Sequence, residues 1–310
     1  MANALFPKSI EVDNASIQQL ELLFTVATKD LSNYIFTLNG KVITKAQIMM
    51  LRQECHQRIQ KLGNDVGTWI STAIPLAYAQ GQHDAARQQS HFGDKAAAAA
   101  ILAVIVHEHY ANKAITGVKV VTPPAGHLDL QNQGVKAIMD DMSSSFGESL
   151  TVMSRSVDGV ISKVQSLHLR RLIAEQADKG ATADAISKQI TAILEDNNIY
   201  SLVDRAGKHW QPDVYAKMLT RTKLVEARNN GMMNALIGVG HDLVQVSAHG
   251  AIDQCGPWES RILSISGNNK LFPSVEDAYS GGLFHPNCKH SLNAVNPAFY
   301  PSSKPEPITV

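Results

Sequence analysis

The sequence has few cysteines, few aromatic residues and no excess charge of either sign. Its 310 residues include three cysteines, aromatic residues make up 6%, and Lys plus Arg equals Asp plus Glu at 28 each. Three thiols are too few for a disulfide framework and are compatible with a reducing cytoplasm. Balanced charge gives no protein-wide field that would hold nucleic acid, so any DNA contact would have to be local.

Long apolar runs, a secretion signal and nucleotide-binding loops are also missing. The most apolar stretch, residues 96–106, is shorter than the ~18–20 residues that span a bilayer, so it predicts a buried helix. The first residues, MANALFPKSIEVDNAS, lack the basic-then-apolar order of a signal peptide, so secretion by that route is not expected. Neither G-x-x-x-x-G-K nor G-x-G-x-x-G occurs in the sequence. We therefore expect no membrane association and no nucleotide chemistry.

Helical periodicity dominates the first part of the chain. Apolar residues recur at three- and four-residue spacing from Leu20 to Tyr34, from Ile48 to Leu62 and from Val135 to Leu167. This spacing predicts long helices that bury one face, with Cys55 in the core. The last segment would form either one long helix or two stacked ones, because Gly147 and Gly159 make a bend plausible.

Several residues predict where these helices are interrupted. Asn39 and Gly40 are expected to stop the first helix, and Pro75 is expected to kink or end the second. The polar segment from Gln80 to Gly93 is predicted to be a loop. Asp94 is predicted to cap the alanine-rich helix after it, and the pair Pro123 and Pro124 is predicted to break the chain.

The periodicity changes after Gly238. Three short segments, Leu243 to Ser247, Arg261 to Ser266 and Ser291 to Val295, have strand character, and a short helix is predicted from Ser274 to Tyr279. The predicted fold class is therefore α+β, predominantly helical with long helices, plus a small C-terminal three-stranded α+β domain.

Four regions follow from these patterns. They are an N-terminal helical region (1–122), a long-helix region (127–210), an α+β domain (211–296) and a proline-rich tail (297–310).

Residues of metal-ligand type concentrate near the C-terminus. One group, which follows the first strand, is His249, Asp253 and Cys255. The other group, which precedes the third strand, is His285, Cys288 and His290. If the first and third strands are neighbours, the two groups meet at one edge of the sheet, and a structural zinc ion with four nitrogen or sulfur ligands is one interpretation. In the other interpretation Pro286 fixes a turn, Asn287 caps it, Cys288 packs as a small apolar side chain, and the histidines bond to nearby backbone. A repeated C-x-x-C pair, the stronger zinc signal, is missing.

A basic stripe is predicted on the helix before the strands. Lys217, Arg221 and Arg228 lie at intervals of four and seven, with Glu226 among them. The stripe is either a solvated helix face or a surface that contacts DNA phosphates or an acidic partner.

The C-terminal segment also resembles a known family. The order D-x-C-x-x-W-E-S-R-I-x-S-I-S-G, then P-S-x-x-D-A, then G-x-F-H-P-N-C-K-H is similar to the C-terminal domain of tailed-bacteriophage minor capsid proteins. These form the head-morphogenesis group that includes the phage Mu protein F-like domain, and the similarity covers roughly residues 213–296. Lys289 stands where that family tends to carry arginine, which keeps the charge but gives up bidentate hydrogen bonding.

The resemblance implies that region 211–296 is a minor-capsid-type domain of a structural, non-enzymatic virion protein. Such a protein would associate with the portal protein or other components of the head interior, in several copies per particle, during assembly in the host cytoplasm. The alternative is a zinc-dependent hydrolase or nuclease domain in the C-terminal region. Its general base would be Asp253 or Glu259, with the thiols and imidazoles as ligands.

Overall fold

A computed structural model describes residues 14–36, 45–110, 127–164, 202–203, 208–296 and 298–299. The helices are α1 (Asn14–Phe36), α2 (Lys45–His91), α3 (Lys95–Tyr110), α4 (His127–Val164), α5 (Pro212–Gly238) and α6 (Val275–Ser280). The strands are β1 (Leu202–Val203), β2 (His209–Trp210), β3 (Leu243–Val246), β4 (Ile262–Ser264) and β5 (Leu292–Ala294). Long helices followed by a small three-stranded sheet confirm the predicted fold class.

The chain divides into two compact units. The helical unit contains residues 15–70 and 141–218, and the mixed unit contains residues 1–14, 71–140 and 219–310. The divisions fall inside α2, α4 and α5, so each of these helices contributes to both units. The four regions predicted from the sequence stay a prediction, because compactness does not test which segments fold independently.

Apolar stripes build the core of the helical unit. Phe24 on α1 stacks on Phe146 on α4 with ring centroids 5.3 Å apart, and Tyr215 on α5 meets Phe146 edge-on at 6.1 Å. Cys55 is fully buried, as predicted, and burial raises the pKa of its thiol to about 11. The long periodic segment is a single helix through Gly147 and Gly159 as far as Val164.

The loop predicted from Gln80 is wrong as far as His91, and Pro75 does not end its helix. A kink at Pro75 stays a prediction. Helix α2 continues through Pro75 to His91. The polarity of this segment predicts a loop, yet Gln82, Asp84, Gln88 and Gln89 are buried. Asp84 and Gln88 can lie on an interior face because residues of neighbouring elements are their hydrogen-bond partners.

A buried ion pair joins α2 to α5 in the mixed unit. The guanidinium of Arg228 donates to Asp84 Oδ2 through Nε at 2.9 Å and also through its second terminal nitrogen. Both side chains are at least nine-tenths buried. Asp84 Oδ1 accepts further bonds from Gln80 and Arg87, each at 3.3 Å, so the carboxylate is fully used.

The same two helices cross with their backbones in contact. A Cβ added to Gly81 would lie 1.9 Å from the carbonyl oxygen of Arg228, and one added to Gly231 would lie 2.0 Å from that of Tyr78. Larger residues cannot occupy these positions without separating the helices. Gly81 is therefore a packing residue and not a sign of a loop.

The three-stranded sheet has the order β4-β3-β5, with both pairings antiparallel. Strand β5 is an edge, and two helices cover its free side. The amide of Leu292 donates to Asn229 Oδ1 at 3.0 Å, and the amide of Ala294 donates to Gln88 Oε1 at 2.6 Å. The free edge of a strand can pair with a strand of another chain, so these side chains also prevent such pairing at β5.

Two of the described helices begin with a side-chain cap. The predicted cap on α3 is confirmed, since Asp94 Oδ1 accepts the amide of Ala97 at 3.0 Å. Ser274 and Asp277 form a reciprocal capping box on α6, where a short helix was predicted. The breaks predicted at Asn39-Gly40 and Pro123-Pro124 lie outside the described residues. Among the described helices, none combines the length and apolarity needed to cross a membrane.

Candidate functional site: a thiol and imidazole cluster

The sheet places the two predicted groups of ligand-type residues at one end. Strands β3 and β5 are neighbours, with Val246 paired to Leu292, as the prediction required. Beyond this pair the amide of Ser247 donates to the carbonyl of Ser291 at 2.9 Å, and the amide of Ser291 donates to Ser247 Oγ at 3.0 Å. The loop that leaves β3 and the segment that enters β5 are therefore held side by side.

The two cysteines of the C-terminal segment lie in contact. Their sulfur atoms are 3.5 Å apart, and both residues are buried as free thiols. The amide of Cys255 donates to Asp253 Oδ1 at 2.9 Å, which fixes the turn that carries the first thiol. Burial, together with the hydrogen bond to Cys288, raises the pKa of Cys255 to about 12. In the absence of a cation the Cys255 thiol should therefore stay protonated at neutral pH.

His290 extends the cluster away from the thiols. Its Nδ1 lies 3.3 Å from Cys288 Sγ, and its Nε2 lies 3.1 Å from Glu259 Oε1. The residue is only 1% exposed, and burial lowers its pKa even though Glu259 favours the charged form. A neutral imidazole whose Nε2 donates to Glu259 leaves Nδ1 as an acceptor that faces the Cys288 thiol.

Glu259 holds the loop that follows β3. Its two carboxylate oxygens accept the consecutive backbone amides of His249, Gly250 and Ala251 at 2.9, 3.2 and 2.9 Å. Gly250 has φ of 81°, and the left-handed backbone lets these three amides converge on one carboxylate. Burial opposes ionisation, but the three amides and His290 outweigh it and lower the pKa of Glu259 to about 2.

Asp253 and His285 form the other edge of the cluster. His285 Nε2 lies 3.1 Å from Asp253 Oδ2, and His285 Nδ1 lies 2.9 Å from the carbonyl oxygen of Pro286. The amide of Cys255 and the imidazole of His285 lower the pKa of Asp253. This carboxylate is therefore ionised at neutral pH and able to orient the ring.

The HPNC turn is anchored to α5. Asn287 has φ of 70°, its amide donates to Thr222 Oγ1 at 3.1 Å, and its side-chain oxygen accepts from Arg221 at 2.8 Å. Asparagine tolerates this left-handed conformation better than most residues. The turn predicted at Pro286 and Asn287 is thus present, and it sets the direction of His285 and Cys288.

The six predicted ligand residues converge, but in groups that differ from those predicted. One ligand-type atom each from Cys255, His285 and Cys288 lies within 4.8 Å of the others, and the same holds for His249, Glu259 and His290. Asp253 pairs with His285 across the two sequence groups. The sequence predicts Glu259 only as a candidate base, because its bonds to the amides of the loop after β3 depend on the loop conformation. Metal binding itself stays a prediction.

The basic residues of α5 do not form one exposed stripe. Lys217 pairs with Glu21 at 3.0 Å in the helical unit, whereas Arg221 bonds to Asn287 in the mixed unit. Arg228 is buried against Asp84. The prediction of a continuous surface strip is therefore wrong for Arg228, because a buried partnered guanidinium cannot contact phosphate.

Comparison with known proteins identifies one family. The family described as phage minor capsid protein 2 matches residues 129–306. This range includes most of α4, all of α5 and the entire thiol and imidazole cluster. No curated protein and no solved structure matches the chain.

Proposed function

Because this chain belongs to the phage minor capsid protein 2 family, which gives it a structural role in the capsid, we propose that it associates with the portal or the head interior during assembly. The family match, which covers more than half of the chain, is the observation that carries this proposal. We further propose that the protein is present in several copies per particle and is assembled into the head in the host cytoplasm.

Exposed apolar side chains of the helical unit support a role in assembly. Leu22 and Val26 on α1 are 60% and 57% exposed, and Met49 and Met50 on α2 are 71% and 67% exposed. Large apolar side chains at this exposure are suited to burial against another protein, although single ones are common on monomers. Methionine in particular adapts its shape to a partner surface.

The composition of purified particles tests the proposal. Heads are isolated from phage carrying the intact gene and from phage with an early stop codon in it, and both are measured by mass spectrometry. We expect the chain in the first preparation at a fixed ratio to the portal protein, and cross-links between the two in assembling heads. Its absence from intact heads would refute a capsid role, and cross-links confined to the outer shell would refute the placement at the portal.

A zinc-dependent hydrolase or nuclease is the alternative. It would need a carboxylate free to act as general base, and the two nearest carboxylates already accept backbone amides. Glu259 accepts three of them and Asp253 accepts that of Cys255. We therefore expect no hydrolysis of DNA or peptide by the zinc-treated protein, whereas cleavage that disappears in Asp253→Asn would establish the alternative.

Local DNA contact would depend on Lys217 and Arg221. Both are at least partly exposed, but each already has a polar partner. If DNA binds here, affinity should fall steeply with salt and disappear in the variant with both Lys217→Glu and Arg221→Glu. Binding that is unchanged by salt, or by this variant, would exclude contact through α5.

A further inference from the structure

We propose that the cluster is a structural zinc site in which Cys255, Cys288, His285 and His290 supply the four ligands. This inference goes beyond the proposed capsid function. In a tetrahedral site with bonds of about 2.3 Å to sulfur and about 2.0 Å to nitrogen, neighbouring ligand atoms lie roughly 3.3–3.8 Å apart. The two sulfur atoms are 3.5 Å apart, and Cys288 Sγ is 3.3 Å from His290 Nδ1. Cys288 is therefore already at zinc spacing from two of the other ligands, Cys255 and His290.

The fourth ligand, His285, needs only a small movement. One of its ring nitrogens lies within 4.8 Å of both sulfur atoms, so it must approach each of them by no more than about 1.5 Å to reach the spacing of a zinc tetrahedron. Each of its ring nitrogens now has a partner, Asp253 or the carbonyl of Pro286. Binding would replace one of these two bonds and keep the other.

Carboxylates stand behind both imidazoles. Glu259 lies 3.1 Å from His290 Nε2, and Asp253 lies 3.1 Å from His285 Nε2. Zinc-bound histidines commonly donate their second ring nitrogen to a carboxylate, which fixes the ring and strengthens the ligand. At His290 this arrangement is complete, because Nε2 faces Glu259 while Nδ1 faces Cys288 Sγ.

The second group of ligand-type residues is a poorer site for zinc. It consists of His249, Glu259 and His290. Glu259 Oε1 already accepts the amides of His249 and Ala251 and contacts His290, and Oε2 accepts the amide of Gly250. This carboxylate has little capacity left for a metal, so its role is to hold the loop and orient His290.

Burial favours a closed structural site over an open catalytic one. Cys255 is 0%, His290 1% and Cys288 5% exposed. Catalytic zinc sites keep a position open for water, whereas structural sites are filled by four protein ligands. The sheet has strands of only three and four residues, and small folds of this kind gain stability from a bound metal. A small pocket lined in part by His285 and Cys288 adjoins the cluster.

Metal analysis of the full-length protein, purified without chelators, tests the site. We expect about one zinc ion per chain by elemental mass spectrometry. Replacement with Co²⁺ should give the visible bands of a tetrahedral ion and thiolate-to-cobalt charge-transfer bands in the near ultraviolet. Both measurements use the unaltered chain, so neither depends on whether a variant folds or on whether the protein enters the capsid.

Two cysteine variants localise the metal. Cys288→Ser should lose most of the zinc and the charge-transfer bands, whereas Cys55→Ala, which removes the third thiol from the helical unit, should keep both. Glu259→Gln should retain the metal but bind it roughly 10–100-fold more weakly, as loss of an orienting carboxylate does. Equal metal content in Cys288→Ser and the unaltered protein would overturn the proposal. So would a protein that takes up no Zn²⁺ or Co²⁺, or one whose Cys255 and Cys288 form a disulfide.

Discussion

The two units of this protein differ in what they bury. Among the described residues, the buried polar side chains of the helical unit are three serines, Ser32, Ser145 and Ser149. The mixed unit buries charged, amide and imidazole groups, including Arg228, Asp84, Gln88 and His290. Apolar packing tolerates imprecise geometry, whereas a buried polar group needs a specific partner. The mixed unit is therefore the part in which individual substitutions should have specific and large effects.

The largest effect is expected from breaking the buried ion pair. Asp84→Ala leaves the guanidinium of Arg228 without its carboxylate, and removal of one partner of a buried pair costs about 3–5 kcal/mol. Urea unfolding should show this loss, and hydrogen exchange should locate it in α2 and α5.

An exposed pair in the helical unit provides the control. Arg58 bonds to Asp30, whose side chain is 52% exposed, so Asp30→Asn should cost no more than about 1 kcal/mol. Equal losses of stability in Asp84→Ala and Asp30→Asn would show that the mixed unit does not depend more on its polar pairs than the helical unit does.

The helix crossing should be the next most sensitive feature. Gly81→Ala forces a methyl group against the carbonyl of Arg228 and should destabilise the protein by about 1–3 kcal/mol. Gly67, on the same helix, has open space around its Cα, so Gly67→Ala should stabilise by about 0.5–1 kcal/mol. Thermal unfolding of the two variants would contradict the close crossing if both shifted the midpoint in the same direction.

Removing a side chain that covers the edge strand β5 should cost a similar or smaller amount of stability. Gln88→Ala removes the acceptor for the amide of Ala294 and should cost about 1–3 kcal/mol, because a buried donor is left unsatisfied. The matched variant Gln60→Ala, on the exposed face of the same helix, should change stability by less than about 0.5 kcal/mol. Hydrogen exchange at Ala294 is the local readout, and unchanged protection there would be evidence against this cover.

The smallest effect concerns the cap of α6 and its pH dependence. The side chain and amide of Ser274 lower the pKa of Asp277, so the folded state favours the ionised carboxylate. That contribution is present above the usual carboxyl range and is lost as the pH falls through the lowered pKa. The stability difference between the unaltered protein and Asp277→Asn should therefore shrink on acidification. A difference that is constant with pH would indicate that the carboxylate charge does not stabilise the cap.

The sequence predicted the helical unit well because burial there follows a simple period. Every third or fourth residue of the predicted stripes on α2, from Ile48 to Leu62, is buried. The strands and the capped helix α6 were also predicted, since short alternating segments and capping residues are local signals. The metal prediction also requires the first and third strands to be neighbours, and these strands, β3 and β5, do pair.

The errors came from polar residues whose partners are distant in the sequence. Asp84 and Arg228 are 144 positions apart, so no local pattern relates them. The same applies to Gln88, which bonds across 206 positions to the amide of Ala294. Local polarity therefore predicts exposure, and so predicts a loop over the last residues of α2. Likewise the loop amides that orient Glu259 depend on the conformation of Gly250, which the sequence alone does not specify.

The central claim is that zinc bound by the thiol and imidazole cluster stabilises the mixed unit. Hydrogen exchange with and without a zinc chelator tests this claim most directly. We predict faster exchange in the segment from His249 to Asn296 after chelation, with α1 and the α4 residues of the helical unit unchanged. Exchange that is unaffected by the chelator, or that increases equally in both units, would contradict this account.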